Sequence, residues 1–315
     1  MKVFVAGATG AVGKQLVPML VEHGHQVTGM TRTAGKAEAI RAMGGRPAVA
    51  DALDPEAVAQ AVAQAEPDAV IHELTAIDLS SLPRSIDKTF ATTNRLRTEG
   101  TDHLLAAARA AGARRFIAQS FAGWPYKRVG GPVKTEDDPL DDSPPKPVSE
   151  TLAAIMHLES AVTGAEGIEG IALRYGGFYG PGTSITVDPP GAQVEMIRRR
   201  RFPIVGDGGG VWSFIQIEDA AAATAAAVER GAPGLYNVVD DDPAPVSVFL
   251  PELAKAVGAK PPRHFPRWVG RLVGGEAAVI MMTEIRGASN EKAKRELGWE
   301  LRYPSWRLGF KEGLK

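Results

Sequence analysis

Cysteine is absent from the 315 residues. That excludes disulfides, thiolate catalysis and Cys-ligated metal together, and it suits a reducing compartment. A charge excess is missing as well: 36 Lys and Arg stand against 37 Asp and Glu, a net charge of −1. A general nucleic-acid binder needs a basic footprint, so nucleic acid is not an expected partner. No run of about 18 apolar residues occurs, so no membrane span is expected. Residues 1–13 hold a lysine and apolar residues, but Gly7, Gly10 and Gly13 break the run, which argues against a signal peptide. A cytoplasmic protein is expected. The acidic pairs Asp137-Asp138 and Asp141-Asp142 lack histidine spacing or glycine turns, so they read as a solvated loop and no metal is expected.

Apolar residues make up 44% of the chain, enough for a sizeable core in one large domain or two modest ones. In the first half, short β-like runs alternate with amphipathic runs. Strands are predicted at 2–6, 26–30, 46–50, 68–72 and 114–119. Helices are predicted at 11–23, 36–43, 55–65 and 93–111. Asp54 is placed as an N-cap with Pro55 at the first helical position, and Gly112 ends the long helix. Such alternation implies parallel βαβ units. Residues 121–149, rich in proline, form a long loop of the kind that often carries function. Helix returns at 150–163 and strand at 168–173. Further on, 214–217 reads as strand and 218–228, 246–257 and 290–297 as helices. The basic run Arg198–Arg201 is either a solvated helix end or a holder of substrate phosphate. No internal repeat is present.

Val5–Gly13 spells VAGATGAVG, a Gly-x-x-Gly-x-x-Gly loop between a strand and a helix. One glycine permits a tight turn, another lets the backbone approach a pyrophosphate, and another lets the helix pack closely. The helix N-terminus then offers free N–H groups and a partial positive charge to the anion. A nicotinamide dinucleotide is the expected cofactor. An acid about 20 residues beyond the loop would take the ribose hydroxyls of NAD. Here Thr31 stands in that place and Arg32 follows, with Lys36 nearby. A guanidinium suits a 2′-phosphate, so NADP(H) is preferred and NAD(H) remains possible.

With these motifs the chain resembles the extended short-chain dehydrogenase/reductase family, in its nucleotide-sugar epimerase/dehydratase group. The resemblance runs nearly end to end. Asp51 matches an acidic position used near the adenine. Residues 70–76, VIHELTA, resemble the strand end "VIHLAA" that passes under the cofactor. Asn94 with Gly100-Thr101 resembles the signature of the long helix. Residues 173–181 resemble "LRPxxxYGP", residues 206–220 resemble "GDG…FVHVDDVA", and Leu297-Gly298-Trp299 resembles "LGW". The resemblance implies an α/β fold: a Rossmann doubly wound parallel sheet with a small C-terminal substrate lobe. Residues 1–173 and 211–239 would build the first, and 174–210 and 240–315 the second. It implies cofactor contacts from Gly7, Thr9, Gly10, Ala11, Val12, Gly13, Thr31, Arg32, Asp51, Ala52, Leu74, Thr75, Ala76, Asn94, Ser120, Tyr175 and Gly176. A homodimer through the helices at 93–111 and 150–164 is also implied.

The family's catalytic Tyr-x-x-x-Lys is missing. In the helix that should carry it, Thr151 takes the Tyr position and Ile155 the Lys position if Glu159 matches a family glutamate. Threonine is a far weaker acid than a phenol, and isoleucine carries no charge. Replacement candidates are Tyr126 in the long loop and Tyr179 beyond the sixth strand, each alternatively a packed aromatic. Ser120 is a site residue or a strand-end hydrogen bonder. His157 lies two residues past the lost Lys, about 200° round the helix, and should face away. Arg174 holds an anion or pairs with an internal acid. The leading reading is an atypical NADP(H)-dependent oxidoreductase acting on a carbonyl or alcohol of a small molecule. The alternatives are a non-catalytic NADP(H)-binding sensor or scaffold, and a nucleotide-sugar epimerase or dehydratase.

Overall fold

The computed structural model describes residues 1–77 and 86–315. Seven parallel strands form the main sheet: β1 (Lys2–Ala6), β2 (Gln26–Thr31), β3 (Arg46–Val49), β4 (Ala69–His72), β5 (Arg115–Phe121), β6 (Glu169–Tyr175) and β7 (Gly234–Val238). Their spatial order is β7-β6-β5-β4-β1-β2-β3, with every neighbouring pair parallel. The order reverses between β1 and β4, so a crevice opens there at the carboxyl ends of the strands, where open α/β sheets bind ligands.

Helices cover both faces, as buried parallel strands require. On one side α1 (Ala11–Glu22), α2 (Ala37–Ala42) and α8 (Ile217–Glu229) close a core that includes Val5, Leu16, Ile71 and Ile171. On the other, α3 (Pro55–Ala65), α5 (Thr101–Ala110) and α6 (Ser149–Thr163) close a core around Phe4, Val70, Leu104, Phe116 and Leu158. Asp54 caps α3 as the sequence indicates, its carboxylate accepting from the Glu56 and Ala57 amides at 3.1 Å.

A third core lies beyond these two layers. It gathers Val194 and Ile197 of α7 (Ala192–Arg198), Phe249 and Leu253 of α9 (Val246–Ala256), Val279 and Met282 of α10 (Arg267–Thr283), and Trp306 and Phe310 of α12 (Trp306–Glu312). The short strand Phe214–Gln216 pairs with Gly177–Tyr179 and joins two cores: Phe214 faces the third core and Ile215 the first. The helix α11 (Glu291–Leu297) returns Ala293 and Leu297 to the first core.

Several elements differ from the sequence reading. The long helix begins earlier, at α4 (Ile86–Arg95), and passes through a π-type turn at Leu96–Gly100 into α5. Thr89, Phe90, Thr92 and Thr93 are weak helix formers, which hid this half. The loop after β5 contains a strand, Val133–Lys134, paired with Gly287–Ala288. Its acidic pairs are not merely solvated: Asp138 binds Lys134 at 2.9 Å, Asp141 binds Arg128 at 2.6 Å and Asp142 binds Lys127 at 2.6 Å. In the basic run, Arg198 and Arg200 donate to the Val257 and Pro261 carbonyls and Arg199 pairs with Glu195. Among the described residues no helix is long and apolar enough to cross a membrane.

Candidate functional site

The glycine loop is shaped by close approach. Gly7 has φ +97°, and a Cβ there would lie 2.6 Å from the Glu73 carbonyl oxygen. A Cβ on Gly13 would lie 2.3 Å from the Gly7 oxygen, so the first turn of α1 seats on the loop only as glycine. Gly10 precedes α1 in extended conformation and has no side chain to cap the helix. The first amides of α1 are thereby left to a ligand, and the helix dipole favours an anionic one. The cradle fits a dinucleotide pyrophosphate.

From this loop a cleft of about 310 Å³ runs across the carboxyl ends of β1, β2 and β4. Gly7, Thr9, Gly10, Ala11, Val12, Thr31, Arg32, Asp51, Ala52, Leu74, Thr75 and Ala76 all line it. At one end Arg32 and Lys36 are exposed cations, while Asp51 is tied to the Leu53 amide at 3.0 Å. At the other end stand Glu73, Gln119 and Phe178, which the sequence reading did not single out. Glu73 had a signal: it replaces the leucine of the "VIHLAA" pattern. A larger depression, about 520 Å³, lies along β2, β3 and α3. It reaches the amino-terminal ends of β1 and β2, away from the loop and its free amides, so chemistry assigns the site to the smaller cleft.

Gly13, Asn94, Ser120, Tyr175 and Gly176 lie outside the cleft lining. Asn94 donates to the Thr151 hydroxyl at 3.2 Å. That hydroxyl donates to Asp87 at 2.7 Å, and Asp87 also accepts the Thr151 and Glu150 amides, capping α6. Thus Thr151, which the resemblance puts in place of the missing tyrosine, is fully engaged with its neighbours. Ile155 is buried. Gly176 is crowded by the Ser213 carbonyl, 2.7 Å from where its Cβ would be.

The three catalytic candidates turn their hydroxyls into the protein. Ser120 donates to Glu159 at 2.6 Å. Glu159 is clasped twice by Arg174, at 2.7 and 2.6 Å, and Arg174 also donates to Tyr126 at 3.1 Å. Tyr126 donates in turn to Asn237 at 2.6 Å. Burial pushes the Tyr126 phenol up to about 12, despite Arg174. Tyr179 is buried in the third core, edge-on to Phe310, its hydroxyl without a partner among the described residues. Burial, and then Asp240 and Asp219, push its phenol upward. Neither tyrosine lines the cleft. His157 reaches Asp102 on α5 at 2.8 Å, on an exposed face. Among the described residues no three His, Asp or Glu side chains gather to hold a metal.

Residues 3–238 match the model of the NAD dependent epimerase/dehydratase family. The chain is 44% identical over 314 residues to a 3-diazoavenalumate denitrifying reductase from a Streptomyces species, covering 98% of this chain and 99% of that protein. It is 30% identical over 268 residues to 2-alkyl-3-oxoalkanoate reductase of Stenotrophomonas maltophilia, covering 82% and 76% respectively. Among solved structures, UDP-glucose 4-epimerase of Thermus thermophilus in complex with NAD superposes with a TM-score of 0.71 at 25% identity, over 100% of this chain and 98% of that one. Loop, cleft, sheet order and these likenesses agree: the chain belongs to the NAD dependent epimerase/dehydratase family, as an oxidoreductase that uses a nicotinamide dinucleotide on a small molecule.

Proposed function

We propose that this enzyme is an NADPH-dependent reductase that replaces the dinitrogen of a small diazo-bearing organic acid with hydrogen. The observation that carries the reading is the state of the acid/base position: Thr151 is tied to Asp87 and Asn94, and Ile155 is buried and uncharged. A ketone that gains hydride also needs a proton on its oxygen, and the tyrosine–lysine pair would supply it. A diazonium carbon needs none. Its C–N bond breaks, the bonding pair leaves with N2, and one C–H bond forms from the hydride, so the charges +1 and −1 cancel. The 44% identity to a denitrifying reductase of a diazo acid, over nearly the whole chain, supports the same chemistry.

When bound, the reduced nicotinamide supplies that hydride. The protein's part is to hold and orient. The open amides of α1 and the glycine loop take the pyrophosphate. Arg32, helped by Lys36, takes the 2′-phosphate and so favours NADPH over NADH. Ser120, Tyr126 and Tyr179 serve this reading as structural members around the site. The substrate lies between the main sheet and the smaller lobe, residues 174–210 and 240–315. The enzyme works in the cytoplasm as a homodimer through α4, α5 and α6; Met156, 47% exposed on α6, suits such a face.

The test is turnover of a diazotised aminobenzoate with NADPH deuterated at nicotinamide C4, measured above the rate without enzyme. The expected result is one N2 per NADPH and deuterium on the ring carbon that bore nitrogen. Turnover of 3-oxo acids, with no enzyme-dependent N2, overturns the reading in favour of carbonyl reduction.

A further inference from the structure

Glu73 follows β4 beside the glycine loop and is only 5% exposed. Its Oε1 lies 2.8 Å from the Tyr175 hydroxyl, which lies 2.6 Å from the Thr224 hydroxyl. Thr224 donates at 2.7 Å to the Ala220 carbonyl. Among the described residues, Glu73 Oε2 is buried with no hydrogen-bond partner. Three contacts in a row need three protons. Tyr175 and Thr224 own one each, and a carbonyl owns none. The row is complete only if Glu73 carries the third. An ionised Glu73 would leave one contact without a proton and one buried anionic oxygen without a partner.

The surroundings agree. Burial pushes the Glu73 carboxyl up to about 8, opposed by the hydrogen bond that Tyr175 would give the ionised form. Charged groups on the packed helices point elsewhere. Lys14 of α1 is exposed, Glu218 of α8 pairs with Arg302, and Asp219 of α8 accepts the Arg302 and Tyr303 amides. His72, next on the chain, accepts from the Leu74 amide through Nδ1 and meets the Leu96 carbonyl through Nε2. Glu73 also touches the cofactor cleft in two ways. Its carbonyl abuts Gly7, and the ring of its partner Tyr175 sits 5.3 Å from that of Phe178, which lines the cleft.

We propose that Glu73 is a positioning residue that holds its proton in the working enzyme, and that losing this proton loosens the grip of the cleft on the dinucleotide. A carboxylate buried beside the phosphate loop repels the pyrophosphate through a medium that salt screens poorly. It also withdraws the Tyr175 proton from Thr224, freeing the ring that supports Phe178. The proposal rests on the dinucleotide reading of the cleft.

The experiment is an NADPH binding titration from pH 6 to 9.5 with wild type, Glu73→Gln and Tyr175→Phe. An infrared spectrum at neutral pH adds a readout free of cofactor. Wild-type affinity should fall about tenfold across the alkaline half, the size expected for one poorly screened charge. Glu73→Gln, which keeps a donor toward Tyr175, should flatten the profile and remove a protonated-carboxyl band. Tyr175→Phe removes the opposing hydrogen bond and should move the break to higher pH, so the proposal survives a poorly folding glutamine variant. A flat wild-type profile, or an unchanged slope in Glu73→Gln, overturns the proposal while leaving dinucleotide binding intact. No binding at any pH overturns the dinucleotide reading and this proposal with it.

Discussion

Arg174 and Glu159 are each less than a tenth exposed, and they meet through two short hydrogen bonds with Ser120 and Tyr126 attached. Removing one member strands the other in the interior. Glu159→Ala should therefore cost about 3–5 kcal/mol, read as a lowered urea midpoint. An unchanged midpoint would mean that water reaches the arginine. Arg32 tests a different kind of charge, one that is exposed at the rim of the cleft. Arg32→Asp should weaken NADPH at least tenfold more than NADH in a binding titration, since a bidentate phosphate contact becomes a repulsion. Equal losses would remove the NADPH preference. These residues also mark what could be read without coordinates. Arg32 was legible because its distance from the glycine loop sets its place. Tyr126 and Glu73 were not, because a chain position says nothing of depth: the loop phenol proved to be in the core, and the acid replacing leucine proved to be half of a hydrogen-bonded pair.

At the scale of elements, the loop and α1 form one unit. Gly13→Ala would drive its Cβ to 2.3 Å from the Gly7 oxygen, so either the loop or the helix must move. Dinucleotide affinity should drop by more than tenfold, since the bound backbone amides must be placed within about 0.5 Å, whereas circular dichroism should keep its helical signal. Affinity equal to wild type would show that the loop adapts. The elements legible in sequence were those with local signals: the glycine turn, the Asp54–Pro55 start of α3 and the alternation from β1 to β5. The hidden ones rely on distant partners. β7 is five residues whose register is set by β6, and Val133–Lys134 is a strand only because Gly287–Ala288 lies beside it. In α10 the glycines 270, 274 and 275 mask the periodicity, and Gly275 breaks the helix with φ +77°.

For the whole molecule, two adjacent buried groups give stability a shape in pH. Burial lowers the His72 imidazole to about 4, so its contribution is present above pH about 6.5 and is lost as pH falls through 4. Glu73 is shifted the other way, so its contribution is present below its unfolded value and is lost as pH rises through about 8. Between about 4.5 and 6.5 the two slopes oppose each other, and above about 6.5 stability should fall toward pH 8. His72→Gln should flatten part of the acid limb in urea unfolding measured from pH 4 to 7; an unchanged limb would assign it wholly to other groups.

The sheet is also completed late along the chain. β6 ends at Tyr175, yet its outer neighbour β7 begins at Gly234, after the segment that enters the third core and returns. While the chain is being made, the growing sheet therefore presents a bare, apolar strand edge, the usual template for aggregation. A chain stopped after Pro233 should emerge largely insoluble, measured by the soluble fraction after expression, although it holds the whole glycine loop and cleft. Synthesis of this enzyme is thus exposed to a race between elongation and misassociation, and the interval is set by the length of the segment between its last two strands.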